Sequence, residues 1–442
     1  MSAAQAQAPA RSLGIDFGTT NSVVARGTGN DAADLVEFAA PSGRTNVFRS
    51  ALCFWQDDDM RGGLAHEAGP WAIAEFLEFP QGSRFLQSFK SVAASPSFEQ
   101  ASLFDKRFRF EDLGQLFLRS LLDHGGTTLP QLPEQIIVGR PVRYAGLNPD
   151  PALARTRYDA MFAMLGRPVH YVYEPLGAAY SFARRLTEPA TLLVADFGGG
   201  TSDFSVVRID APGSARRCVP LGSAGIGIAG DRFDFRIMDH LVLPLLGKGG
   251  TYRSFDKILE IPGGHFTQLG DWSRLALMRN RKTLDELARL QRTATDPDAI
   301  GRMIAIVEHE LGYGLYEAVG QLKRALSADE QAVFRFESDA LTITADVSRT
   351  DFEGWIAPDL ERIGETVDRA LARAGLQSGQ VDHVFLTGGS SLIPAVRGLF
   401  EQRFGGSRLA VGDELTSIAH GLALIGQAED IADWTVKDED IA

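Results

Sequence analysis

Apolar positions along the chain fall into two kinds of run, short β-branched stretches and long stripes at helical spacing. Residues 13–26 read as strand, tight turn, strand: LGID, then FGTTN, then SVVAR. The same order returns at residues 191–210, as TLLVAD, FGGGTSD and FSVVRID. Both copies end their first strand on Asp-Phe-Gly, at Asp16-Phe17-Gly18 and Asp196-Phe197-Gly198. TLLVA is apolar at every position, as expected of a central strand covered on both faces. A repeat half a chain away predicts a duplicated lobe, with one loop from each lobe facing a shared cleft. A third apolar strand, residues 381–387, leads into Gly388-Gly389-Ser390. A helix pattern follows with Pro394 in its first turn, where a missing N–H costs nothing.

Two long stripes predict helices. Over 351–374, Phe352, Trp355, Ile356, Leu360, Ile363, Val367 and Leu371 recur at helical spacing, with Thr350 and Glu353 as a capping box and Gly375 as the stop. Over 304–326 the stripe runs through Val307, Leu311, Leu315, Val319 and Leu322. The stretch from Ala428 is acidic and is expected to be largely disordered.

Length and composition narrow the class. At 442 residues, 44% hydrophobic and 23% charged, the chain suits two lobes with ordinary cores. A net charge of -13 argues against a nucleic-acid surface, which needs clustered Lys and Arg. The two cysteines, Cys53 and Cys218, are far apart, so neither a disulfide nor a thiolate zinc site is expected. Residues 1–11 lack the apolar centre of a signal peptide, and no apolar run reaches spanning length. A cytoplasmic protein without membrane contact is expected.

The loops suggest phosphate chemistry. Gly and small hydroxyl residues let backbone N–H groups approach phosphate oxygens closely. Gly18, Thr19, Thr20 and Asn21 offer such donors on one side, and Gly198, Gly199, Gly200 and Thr201 on the other. Asp16, Asp196 and Asp203 bring carboxylates, which hold Mg2+ through its water shell. Each Asp-Gly loop alone reads equally well as a plain β-turn. Together with Gly388 and Gly389 they favour a cleft for Mg-ATP.

The motifs GIDFGTTNS, VADFGGGTSDFS and FLTGGSSLIP resemble the nucleotide-binding domain of the 70-kilodalton heat-shock (DnaK-like) chaperones. So do IIVGRPVRY at 136–144, YEPLGAAYSF at 173–182 and AGDRFDFRI at 229–237. The resemblance runs from about residue 13 to 427, and the Gly139-Arg140-Pro141 variant is most similar to the bacterial YegD-like branch. It implies an actin-like (ribonuclease H-like) α/β ATPase fold, two duplicated lobes each with an inserted subdomain. Lobe I would cover 13–189 with an insert at about 45–132 and a returning helix at about 413–427. Lobe II would cover 190–412 with a mostly helical insert at about 231–349, leaving 428–442 as an acidic tail. Asp16, Asp196 and Asp203 would hold Mg2+; Thr19, Thr20, Asn21, Gly199, Gly200 and Thr201 would contact the β- and γ-phosphates. Asp16, Lys90, Glu174, Asp196 and Thr201 would form the catalytic set, with Lys90 at the γ-phosphate and attacking water. Gly230, Gly388, Gly389 and Ser390 would line the nucleotide, and Lys323, Arg324 and Ser327 would flank its adenosine. ATP or ADP with Mg2+, and K+ as a further ion, are the implied cofactors, and a co-chaperone or client the implied protein partner.

Departures from the family pattern fall on the adenosine side. Gly320 stands where the family has a glutamate three residues before the Lys matched by Lys323, and Leu392 stands where an arginine would pack on adenine. The family's hydrophobic linker and β-rich peptide-binding domain have no counterpart in the matched stretch, so no peptide clamp of that kind is expected. The expected function is a slow, ATP-hydrolysing switch read by a partner protein. Alternatives are a sugar-type kinase of the same fold, a filament-forming actin relative, and a nucleotide sensor without hydrolysis. Gly225-Ile226-Gly227-Ile228-Ala229-Gly230 matches a dinucleotide fingerprint but sits deep in the second half. Glu308-His309-Glu310 begins like a zinc-protease helix yet lacks its second His.

Overall fold

The computed structural model describes residues 10–436, apart from 31, 59–62, 81, 127–130, 147, 212–217, 271–277, 340, 412–415 and 430. Its framework is one sheet topology used twice. In the first sheet the order is Val169–Tyr173, Gln135–Arg140, Ser12–Phe17, Asn21–Gly29, Ala32–Leu35, with Phe48–Arg49 also paired to Asn21–Gly29. In the second it is Leu409–Val411, His383–Thr387, Ala190–Phe197, Ser202–Ile209, Cys218–Ile226. Each is an antiparallel meander of three strands extended by two parallel strands on the side of its first strand. Even the register repeats. Phe17 pairs with Ser22 and Phe197 with Ser202, leaving residues 18–21 and 198–201 as the matching turns.

Alternation along the strands splits each sheet between two cores. Leu193, Ala195 and Phe197 join one large cluster, while Leu192 and Val194 face the other way. Ile136 and Val138 pack into the first half's own core, whereas Ile137 turns to the cluster that holds Leu192 and Val194. That shared cluster is built on two helices lying between the sheets, Glu174–Ala183 and Ser417–Ile425. Their approach is very close: a Cβ on Gly421 would lie 1.7 Å from the Gly177 carbonyl oxygen. Ser12 Oγ also donates to the Ala423 carbonyl at 2.6 Å, tying the first strand to the last long helix.

Elements outside the framework supply the cleft's upper walls. Between the strands of the first sheet come a three-stranded sheet centred on Ala51–Gln56, the helix Gly69–Glu78 and the helix Phe110–His124. In the second half come the helices Gly230–Ile237, Arg281–Thr293, Pro297–Glu308 and Gly312–Ala328, with the hairpins Thr251–Ser254/Lys257–Glu260 and Gln331–Glu337/Thr342–Ser348.

Three sequence expectations need correction. The stripe over 304–326 is two helices, Pro297–Glu308 and Gly312–Ala328, because the chain turns at Glu310, which has φ +54°. Helical periodicity survives such a break, so the stripe did not reveal it. The helix expected from 351 begins at Arg349, capped by Ser348 with Asp351 rather than by Thr350 with Glu353. The acidic stretch is also less open than its charge suggests. The short helix Ile431–Trp434 docks with Trp434 buried against Tyr180, and Val436 N–H donates to the Tyr171 carbonyl. Two apolar anchors outweigh the acids there. Residues 430 and 437–442 of that stretch, residues 1–9, and residues 412–415 at the start of the expected returning helix lie outside the described residues.

Candidate functional site

Three turns at strand ends converge on one cleft of about 410 Å³ between the two sheets. Gly18, Thr19, Thr20 and Asn21 line it from the first sheet, Gly198, Gly199 and Thr201 from the second, and Gly388, Gly389 and Ser390 from the third turn. The loops touch: a Cβ on Gly199 would lie 2.2 Å from Thr20 Oγ1. Gly388 has φ +83°, and a Cβ there would meet the Phe197 carbonyl oxygen at 2.1 Å, so only glycine fits. Ser50 fixes the first turn, its hydroxyl donating to the Gly18 carbonyl at 2.7 Å and its N–H to the Thr20 carbonyl at 2.9 Å. The helix Gly230–Ile237 fixes the second: Asp231 N–H donates to the Gly199 carbonyl at 2.8 Å.

Beneath the turns lies a buried charge cluster. Lys90 Nζ donates to Glu174 Oε1 at 2.6 Å, with both side chains nearly inaccessible. Lys90 sits in a single 3-10 turn, Phe89–Val92, behind Ser88, whose φ of +56° sets its direction. Glu174 starts the central helix with Pro175 behind it. Asp16 and Asp196 end the first strand of their respective sheets, and all four groups line the cleft. Asp203 is one layer deeper, directly opposite Asp196; its Oδ1 accepts the Arg143 N–H at 3.1 Å, and its Oδ2 is buried without a hydrogen-bond partner.

Burial and then Glu174 push the Asp16 carboxyl up to about 8, against the pull of Lys90. Burial and Glu174 likewise raise Asp203 to about 7, and burial with Glu174, Asp16 and Asp203 holds Asp196 well above the carboxylate range. Burial works against the Lys90 ammonium, but Glu174 and Asp16 outweigh it and its pKa rises. Four carboxylates thus crowd one ammonium, an arrangement that a divalent cation would relieve. Among the described residues no three His, Cys, Asp or Glu converge closely enough to enclose an ion directly. The donor set therefore fits Mg2+ held through its waters and through phosphate oxygens.

A family description, "Hsp70 protein", matches residues 308–438. The chaperone protein DnaK of Thermus thermophilus is 22% identical over 442 residues, covering 96% of this chain and 62% of that protein. DnaK of Deinococcus radiodurans is 25% identical over 411 residues, covering 90% of this chain and 56% of the relative. A heat shock protein homolog of Lachancea kluyveri is 30% identical over 132 residues, 29% of this chain and 17% of its own. Over nearly its whole length the chain is similar to DnaK-like proteins of the Hsp70 family. It spans less than two thirds of the length of these curated relatives. Its twice-used sheet topology is the actin-like ATPase fold that similarity to the Hsp70 family implies.

The side expected to hold adenosine is lined from the helix Gly312–Ala328. Lys323 and Arg324 line the cleft, Lys323 Nζ pairing with Asp234 Oδ1 at 2.7 Å. Ser327 is a turn further on, its hydroxyl spent on the Lys323 carbonyl, and Gly200 packs beside Thr19. Gly320 lines the cleft, and Glu317, one turn earlier on the same helix, does so as well and pairs with Arg324 at 2.9 Å. Leu392 is 56% exposed and is not among the residues lining the cleft.

Sequence reasoning missed Arg49, Gln87, Tyr313 and Glu317, which all line the cleft. Arg49 donates to Asn21 Oδ1 at 3.2 Å. None lies in a motif, and no local spacing marks them. It also missed an ion-pair bridge beside the cleft. Glu310 Oε1 accepts from Arg84 at 3.0 Å and Arg279 at 2.5 Å, joining the inserts of the two halves, with Tyr313 packed on Phe76 and Phe85 next to it. The zinc-protease-like Glu308-His309-Glu310 is thus the chain reversal that carries this bridge.

Proposed function

We propose that the chain binds Mg-ATP between its two lobes, hydrolyses it slowly, and passes the resulting lobe movement to a partner protein in the cytoplasm. The observation carrying this reading is the convergence of three glycine turns from both sheets on the Lys90–Glu174 pair. Backbone N–H groups of residues 18–21 and 198–201 would donate to the β- and γ-phosphate oxygens. Mg2+, held through its waters by Asp16, Asp196 and Asp203, would supply positive charge beside those oxygens. Lys90 would hold charge and water at the γ-phosphate, and Glu174 would keep its ammonium aimed and protonated. Water would form the new oxygen–phosphorus bond as the bond to the β-phosphate oxygen breaks, without a covalent enzyme intermediate. Because both lobes contact ATP, binding would favour their closure.

The test is Mg-ATP binding and single-turnover hydrolysis, wild type beside Asp196→Asn. Wild type is expected to bind and turn over, and the variant to lose hydrolysis by about a hundredfold. Absence of ATP binding in folded wild type would overturn the reading. A nucleotide sensor without hydrolysis is the second reading, favoured by the exposed Leu392 outside the cleft lining; tight binding with no turnover in wild type would select it.

The Glu310 bridge yields a further expectation. Glu310→Gln leaves Arg84 and Arg279 facing each other without their shared carboxylate. Dissociation of a fluorescent ADP should quicken by roughly threefold to tenfold, the equivalent of about 1 kcal/mol for a largely buried ion pair whose two arginines stay partly solvated. An unchanged off-rate by stopped flow would mean that the bridge does not limit opening.

A further inference from the structure

A second cavity, of about 900 Å³, lies between the two sheets and under the docked Asp433–Val436 segment. Its deepest charged group is Arg140, the last residue of the strand Gln135–Arg140. Arg140 is 3% exposed, and its Nε and Nη1 have no hydrogen-bond partner. The Tyr144 and Tyr173 rings hold the guanidinium at 5.3 and 5.4 Å, an arrangement that steadies its plane and uses none of its N–H donors. Trp434 adds a second buried donor to the same wall, its indole Nε1 also without a partner.

The charge of this wall runs against that of the whole chain. Arg143, Arg369 and Arg373 join Arg140 there, and the described lining includes one carboxylate, Asp433. The chain as a whole carries -13. Buried donors left unpaired are costly, and a guanidinium is most fully satisfied by an oxyanion. We propose that this cavity binds a compact oxyanion, a free phosphate or a small di- or tricarboxylate, with Arg140 as its anchor and Trp434 as a second donor. The ligand is small because the anchor sits at the buried end of the cavity. Arg369 and Arg373 stand on the exposed face of the helix Arg349–Arg373, where they draw anions inward. Arg373 also donates to the Ser223 carbonyl at 2.7 Å, fixing the rim.

Trp434 makes the test direct. Titration of the full chain with inorganic phosphate, and separately with citrate, should give a saturable change in tryptophan emission that chloride at matched ionic strength does not. The preferred anion identifies the ligand class. Arg140→Met should weaken that response roughly tenfold or more, as expected for a lost charge-assisted bond. Its thermal unfolding, at or above the wild-type temperature, verifies that it is folded. Arg373→Gln, on the exposed rim, should weaken binding by about threefold, and Trp434→Phe should remove the signal. Phosphate entering the nucleotide cleft would give a response that Arg140→Met leaves intact, and that result would overturn the proposal. So would the absence of any saturable response to either anion up to roughly 10 mM. Neither result bears on ATP binding, which is measured separately.

Discussion

Lys90→Met is expected to lower the single-turnover rate of ATP hydrolysis by about a hundredfold to a thousandfold, the usual cost of one preorganised donor at developing charge. ATP binding should change far less, because backbone N–H groups of the glycine turns would hold the phosphates. The substitution also strands Glu174, whose partner at 2.6 Å is gone. Breaking a buried pair on one side costs about 3–5 kcal/mol, so the variant should also melt earlier. Lys90→Met with Glu174→Gln separates the two effects. Its unfolding midpoint should return toward wild type, since Glu174 no longer leaves a stranded charge, while its hydrolysis stays low. Turnover within a few-fold of wild type in folded Lys90→Met would remove Lys90 from the chemistry.

Gly421→Val should have the largest effect on stability. Its Cβ would fall 1.7 Å from the Gly177 carbonyl oxygen, inside the seam of the two helices that separate the sheets. The helix Ser417–Ile425 has no room to retreat, because a Cβ at Gly14 would already lie 2.4 Å from the Ala419 carbonyl oxygen on its other side. Overpacking costs about 1–3 kcal/mol where a core can adjust and more where backbone meets backbone. Urea unfolding should show a loss at or beyond the top of that range, or no folded protein. Gly354→Ala is the matched control: it lies on the exposed face of the helix Arg349–Arg373 with nothing near its added Cβ. That change should stabilise by roughly 0.5–1 kcal/mol. A wild-type midpoint for Gly421→Val would mean that the seam is looser than its geometry.

What could be read from the sequence was what local chemistry repeats. The two Asp-Phe-Gly hairpins announced two sheets, and the structure matches them down to the Phe–Ser pair beyond each turn. Glycine marked the turns because a side chain at Gly199 or Gly388 has nowhere to go. Contacts between segments remote in sequence stayed hidden. Arg49, Gln87 and Tyr313 reach the cleft from inserts whose placement no motif encodes. The pairing of Glu310 with Arg84 spans 226 positions. The turn at Glu310 was masked by apolar residues that keep helical phase across it, and the docking of Trp434 by the acids around it. Charge pattern speaks for solvent, but one buried indole can outweigh it.

The seam between the first strand and the helix Ser417–Ile425 also shapes how the chain is made. Ala419 and Ala423, which cover one face of Ser12–Phe17, are synthesised some four hundred residues after it. At translation rates of about 5–20 residues per second, that strand waits roughly 20–80 s for its cover. During that interval a buried apolar ribbon with an open face is available to any neighbour on the same message. A chain similar to folding helpers thus closes its own first sheet late, only once the helix Ser417–Ile425 has emerged.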